Sequence, residues 1–105
     1  MSTNIGTAVV RLYSSTKPTW FVDVEARLDT GATRTSIDES LADFLRLEEV
    51  GQVTTRSASG KGVRDLALLK MEYDGYEYTL DVCLKDREGM SYPMIVGRDV
   101  LSQIR

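Results

Sequence analysis

The stretch Ala26-Arg27-Leu28-Asp29-Thr30-Gly31-Ala32-Thr33 holds the residue best suited to chemistry in this chain. An alternating strand delivers an aspartate at its end, where Gly31 can open a turn closed to other residues and leave the carboxylate bare of side-chain bulk. Thr30 can turn its hydroxyl toward backbone groups and fix that turn. A carboxylate placed in this way can give or take a proton from a bound molecule. Taken alone, Asp-Thr-Gly equally describes a strand followed by an ordinary turn.

The composition limits the alternatives. The chain has 105 residues, 13 of them basic and 16 acidic, with one cysteine and no histidine. No Ser-His-Asp or Cys-His site can be built from it, and a zinc site, which draws on histidine and cysteine, is nearly out of reach. The single Cys83 cannot form an internal disulfide and suits a reducing compartment. A net charge of -3 argues against nucleic acid as a partner, which needs a basic face. No apolar run approaches the length that spans a bilayer, and the first residues lack a charged segment followed by an apolar one. These features predict a single domain over residues 1–105, cytoplasmic, with no membrane partner. A domain of this size has little surplus to enclose a deep pocket, so an active site would be shared with a second copy.

The elements that must hold Asp29 are mostly strands. Over residues 20–28, Trp20, Val22, Val24, Ala26 and Leu28 alternate with Asp23, Glu25 and Arg27, and Phe21 is the one exception on the polar face. Ala67, Leu69, Met71 and Tyr73 alternate likewise, Asp74-Gly75 supplies a tight hairpin turn, and Tyr76, Tyr78, Leu80, Val82 and Leu84 continue the period. Further strands are expected over 8–13 and 92–96. Ile37, Leu41, Phe44 and Leu45 predict a helix over 36–47, and Val100, Leu101 and Ile104 predict a short one after Gly97. Many short strands with one or two short helices give an all-β domain, a small closed or nearly closed barrel. Trp20 and the hairpin tyrosines read as core or interface residues, and Cys83 as an unreactive strand residue.

A second stretch, Tyr92-Pro93-Met94-Ile95-Val96-Gly97-Arg98-Asp99-Val100-Leu101, is an apolar strand, a glycine and a helix opening on a charged pair. The two stretches together resemble the retropepsin-like, or retroviral-type, aspartic proteases. In that family an apolar-Asp-Thr/Ser-Gly-Ala turn is followed late in the chain by apolar-apolar-Gly-Arg. The resemblance covers roughly residues 5–104. Residues 26–37 and 86–98 are similar to a cellular branch named ATP-dependent zinc proteases, but Ser59-Gly60-Lys61-Gly62 lacks the phosphate-cradling loop pattern. The expectation is therefore the fold of that branch without ATP or zinc, and with no cofactor.

The resemblance implies a retropepsin-like acid-protease barrel acting as a homodimer on a peptide or protein substrate. Only one Asp-Thr-Gly is present, so Asp29 of each copy would meet at a two-fold axis and share one proton. It further implies that Thr30 braces the two copies and that Gly31 offers its carbonyl to the peptide, with Ala32 and Arg34 beside them. Arg56, Ser57, Ala58, Ser59, Gly60 and Lys61 would lie in a flap that closes over substrate. Gly97 and Arg98 would support the site structurally. Ala32 has no hydroxyl to donate to the carboxylate, which predicts a rate optimum at weakly acidic to neutral pH. Residues 50–64 carry Arg56, Lys61 and Arg64 and no acid, so the flap suits an acidic, Glu-rich peptide, although a solvated loop would show the same charges.

Two departures stand out. Retroviral enzymes carry an acid four residues after the catalytic aspartate, paired with the late arginine, whereas this chain has Thr33, so Arg98 needs another partner. The sequence also ends at Arg105 without the terminal strand that retroviral dimers interleave, which implies a different or weak interface. The alternative reading is a catalytically silent module of the same fold that binds peptides or dimerises.

Overall fold

A computed structural model describes residues 6–17, 19–57, 60–86 and 89–103. The strands are β1 (Thr7–Tyr13), β2 (Phe21–Leu28), β3 (Ser36–Asp38), β4 (Glu48–Ser57), β5 (Gly60–Tyr73), β6 (Tyr76–Lys85) and β7 (Met94–Val96). Two helices, α1 (Glu39–Leu45) and α2 (Arg98–Leu101), complete the described elements. The strands form one sheet in the order β1-β2-β7-β3-β6-β5-β4, and β1 pairs again with β5. That second pairing closes six strands into a barrel and leaves β4 outside the closure.

The alternation read from the sequence is the alternation that fills the barrel. Val10 and Leu12 of β1, Ala26 and Leu28 of β2, Ala67, Leu69 and Met71 of β5 and Val82 of β6 are buried together. Asp74 and Gly75 both take positive φ, at 54° and 83°, as a two-residue hairpin turn requires. Phe21, the exception to the alternation, is exposed on the outer face. The Arg11 guanidinium lies 3.9 Å from its ring centroid, and Arg11 also pairs with Asp23 at 2.9 Å. The ring is thus covered by a cation and not by the core.

The expected helix over 36–47 begins later. Ser36–Asp38 is a strand, because Ile37 pairs with Met94 of β7 on one side and with Leu84 of β6 on the other. Ladder bonds on both edges outweigh helical spacing, and Ile37 enters the core as a strand residue. Asp38 then caps α1, its carboxylate accepting from the backbone N–H and the hydroxyl of Ser40. Arg46 ends the helix in the left-handed conformation, φ 56°. The short strand β7 runs parallel to β2 and antiparallel to β3. It is enclosed by both, which is why its residues are apolar without alternation.

Leu69 has no exposed surface, whereas Val63, farther along the same strand, is 59% exposed. Leu69→Ala is expected to lower the unfolding free energy by about 2–5 kcal/mol, and Val63→Ala by under about 0.5 kcal/mol. Urea unfolding of both variants checks the contrast.

Candidate active site

The strand-to-turn junction is set by β2 and β7. Leu28 pairs with Val96, and the next backbone N–H, that of Asp29, donates to the Val96 carbonyl at 2.9 Å. The turn closes when the Gly31 N–H donates to Asp29 Oδ1 at 2.8 Å and the Ala32 N–H to the Asp29 carbonyl at 3.1 Å. Asp29 therefore holds its own turn through one carboxylate oxygen, and the other makes no hydrogen bond among the described residues. It is partly buried, while Thr30 and Gly31 are exposed beside it.

Two expectations about this turn need correction. Gly31 does not adopt positive φ. A Cβ at that position would lie 3.2 Å from Asp29 Oδ1, so a larger residue there would need the carboxylate to give way by a few tenths of an ångström. The Thr30 hydroxyl makes no hydrogen bond among the described residues, and the backbone bonds fix the turn in its place.

The loop after the turn is held by residues that composition and spacing gave no reason to single out. Thr35 is fully buried. Its N–H donates to both carboxylate oxygens of Asp99, at 3.1 and 3.0 Å, and its hydroxyl donates to Asp99 Oδ1 at 2.7 Å. The same hydroxyl accepts from the Gly97 N–H at 3.1 Å, and the Thr35 carbonyl accepts from the Cys83 N–H at 3.0 Å. Every polar atom of this threonine is thus engaged. The only early signal was the charged pair that opens α2.

Gly97 and Arg98 occupy the supporting position the resemblance implied. A Cβ on Gly97 would fall 2.7–2.8 Å from the Arg34 carbonyl group and the Ala32 oxygen, so the loop packs directly on bare backbone. The Arg98 N–H donates to the Ala32 carbonyl at 2.8 Å. Its guanidinium donates to the Thr33 hydroxyl at 3.1 Å, which answers what replaces the missing acid: a neutral acceptor at the same position. Asp29, Thr30, Gly31, Ala32, Gly97 and Arg98 thus come together.

The expected flap residues lie near the tip of the β4–β5 hairpin. Arg56 pairs in register with Lys61, and Ser57 with Gly60, and Lys61 is exposed. Ala58 and Ser59 lie outside the described residues. A different part of β5 approaches the site. Leu66 pairs with Cys83, whose backbone is bonded to Thr35, and the charges of Arg34 and Arg64 both act on the Cys83 thiol. Arg34, on the loop after Asp29, and Arg64 of β5 thus both act on Cys83. Burial pushes the thiol up from its ordinary value of 9.0, and Asp99 adds to that, while the two arginines oppose it.

No family model and no curated protein matches the chain. Solved structures do. The EIAV protease bound to the inhibitor HBY-793 superposes with a TM-score of 0.72 and 16% identity, covering 99% of this chain and 94% of its own. The simian foamy virus protease gives 0.66 and 15%, covering 93% of each chain. The retroviral protease-like domain of Ddi1 from Leishmania major gives 0.55 and 16%, covering 95% of this chain and 78% of that one. A Legionella pneumophila protein of unknown function, Lpg0085, gives 0.59 and 20%, covering 99% and 91%. The fold is retropepsin-like.

Gly97→Ala is expected to unfold the domain or cost several kcal/mol, since the new methyl meets backbone on two sides. Thr35→Val should cost about 1–3 kcal/mol by leaving the Asp99 carboxylate and the Gly97 N–H short of partners, and Thr35→Ser should cost less. Chemical unfolding measures all three. Cys83 supplies a pH test. A thiol titrating higher when folded retains its proton where the unfolded chain loses it, so its contribution is complete below pH 9.0 and is lost as pH rises through the folded value. Cys83→Ala should flatten the alkaline limb of the stability curve.

Proposed function

We propose that the chain is an aspartic endopeptidase that works as a homodimer, hydrolysing peptide bonds with water activated between two Asp29 carboxylates. The observation that carries this reading is the junction itself. Asp29 sits where a parallel strand pair ends, one oxygen is held by the Gly31 N–H, and Thr30 and Gly31 are exposed around it. A carboxylate packed this way has no structural role beyond its own turn. The likeness to retroviral proteases over nearly the whole chain supports the assignment. Within this fold we place the chain nearest the cellular branch, on residues 26–37 and 86–98.

One chain supplies one carboxylate, so the reaction needs a second copy about a two-fold axis. Like charges at that distance do not both ionise, and the pair carries one proton between them. The ionised member takes a proton from the water as it attacks the scissile carbonyl carbon. The protonated member donates to the carbonyl oxygen, and the pair then returns a proton to the leaving amine as the C–N bond breaks. No bond forms between enzyme and substrate.

The substrate we favour is an acidic, Glu-rich peptide. Arg34 and Arg64 act together on Cys83 beside the catalytic loop, and Arg56 and Lys61 pair near the hairpin tip. These cations give a carboxylate side chain several partners.

Asp29→Asn should reduce peptide hydrolysis by about 10²- to 10⁴-fold or more with an unchanged unfolding curve; a silent binding module would have no hydrolysis to lose. The rate of the native chain should peak at weakly acidic to neutral pH, and a maximum near pH 2–3, below the ordinary carboxylate range, would overturn the role given to Ala32. Glu-rich peptides should be cut faster than neutral ones, with the preference lost when Arg34, Arg56, Lys61 and Arg64 are neutralised. Equal rates in both chains would remove the acidic substrate.

A further inference from the structure

β1 is covered on its two edges to different extents. Against β2 it pairs along its whole length, but against β5 it pairs only at Arg11, Leu12 and Tyr13. Continuing that register would set Val10 against Tyr73 and Val9 against Asp74. Those pairs do not form, because β5 ends at Tyr73 and Asp74-Gly75 turns the chain back into β6. Over Thr7–Val10, β1 is therefore an edge strand among the described residues, with the backbone groups on its β5 side open to another strand. A concavity of about 290 Å³ lies in the gap, lined by Val9, Arg11, Asp23, Glu72, Asp74 and Gly75.

Val9 is an apolar side chain, 67% exposed, set among carboxylates. Arg11 is the one cation lining the cleft, and it is already engaged. Its guanidinium donates to both Asp23 oxygens, at 2.9 and 3.3 Å, and lies over the Phe21 ring. Farther out on the same face Lys70 pairs with Glu77, and the exposed Glu25 and Arg27 carry one charge of each sign. Glu72 accepts from the Tyr13 hydroxyl, which is neutral, and Asp74 forms no hydrogen bond or ion pair among the described residues. The negative charges of Glu72 and Asp74 are thus the ones left over, on either side of the gap in the ladder.

We propose that this cleft docks a basic segment of a partner protein. The segment lies extended along the β1 edge and carries a lysine or arginine whose methylene stem covers Val9 and whose charged head lies between Glu72 and Asp74. Three features of the cleft select it: the open edge takes a backbone, the exposed valine takes an aliphatic stem, and two carboxylates without cations take a positive charge. A neutral segment satisfies the first two at most, and an acidic one is repelled. None of these residues belongs to the Asp29 turn, so the site stands whether or not the chain cleaves peptides.

The test follows backbone amide resonances of the isotope-labelled Asp29→Asn chain, in which cleavage is blocked, during titration with a capped nonapeptide of alternating lysine and threonine. The amides of Val9, Arg11, Asp74 and Gly75 should shift together and saturate, and a glutamate-threonine peptide should move none of them. Asp74→Asn keeps a residue that tolerates the hairpin turn. It and Glu72→Gln should each weaken binding about two- to fivefold, the effect of losing one exposed ion pair. Asp81→Asn removes the same charge from an exposed position of β6 outside the cleft and should leave binding unchanged. Lysine amide, which has the stem and the charge but no strand, should bind at least about tenfold more weakly than the peptide. Shifts spread over the whole acidic surface, an Asp81→Asn loss equal to that of Asp74→Asn, lysine amide binding as tightly as the peptide, or no saturable shift at all overturns the proposal.

Discussion

The contact on which the active-site region depends is the one between Thr35 and Asp99. It joins residues 64 positions apart and satisfies a buried threonine with a carboxylate, a backbone N–H and a backbone carbonyl link in one place. A polar group taken out of water without partners is costly, so this loop could not be buried at all unless its hydrogen bonds were complete. Because they are complete, residues 29–35 can cross the end of the barrel as packed backbone. Gly97 is the steric half of the same arrangement, since any side chain there would occupy the space the loop fills.

From this contact the geometry of Asp29 follows. β7 is fixed between β2 and β3, the loop is fixed to β7 and to the start of α2, and the carboxylate therefore stands on a frame anchored on both sides. The six closed strands supply the rigidity. The β4–β5 hairpin is different in kind: β4 lies outside the closure, pairs on one edge only, and carries a bulge between Glu49 and Gly51. An element with few buried residues and one edge unpaired among the described residues opens at lower cost than the closed strands.

On the outer barrel face Arg11 pairs with Asp23 and Lys70 with Glu77, while Arg27 of β2 is exposed and forms no ion pair among the described residues. Around the Asp29 loop Arg34, Arg64 and Arg98 are left without carboxylate partners among the described residues.

β1, β2, β7, the β5–β6 hairpin with its Asp74-Gly75 turn and the strand-end position of Asp29 were legible in the sequence, because local periodicity and backbone chemistry leave repeating marks, while the coupling of Asp29 to Gly97 was implied by the family resemblance. What was not legible depends on partners distant along the chain. Helical spacing over 36–47 hid β3, since only β6 and β7 together could claim Ile37 for the sheet. Phe21 broke an alternation for the sake of Arg11, a neighbour from another strand. Gly31 was read as a conformational requirement, but it does not take positive φ, and what its position shows is a close approach to the Asp29 carboxylate. Thr35 and Asp99 belong to no repeating pattern, so nothing local marked them. The sequence by itself determined the strand periods and the aspartate at the end of its strand in Asp-Thr-Gly, since both are properties of short segments. Tertiary structure alone decided what holds that carboxylate in place and which cations surround it, because those are contacts between segments that the chain order keeps apart.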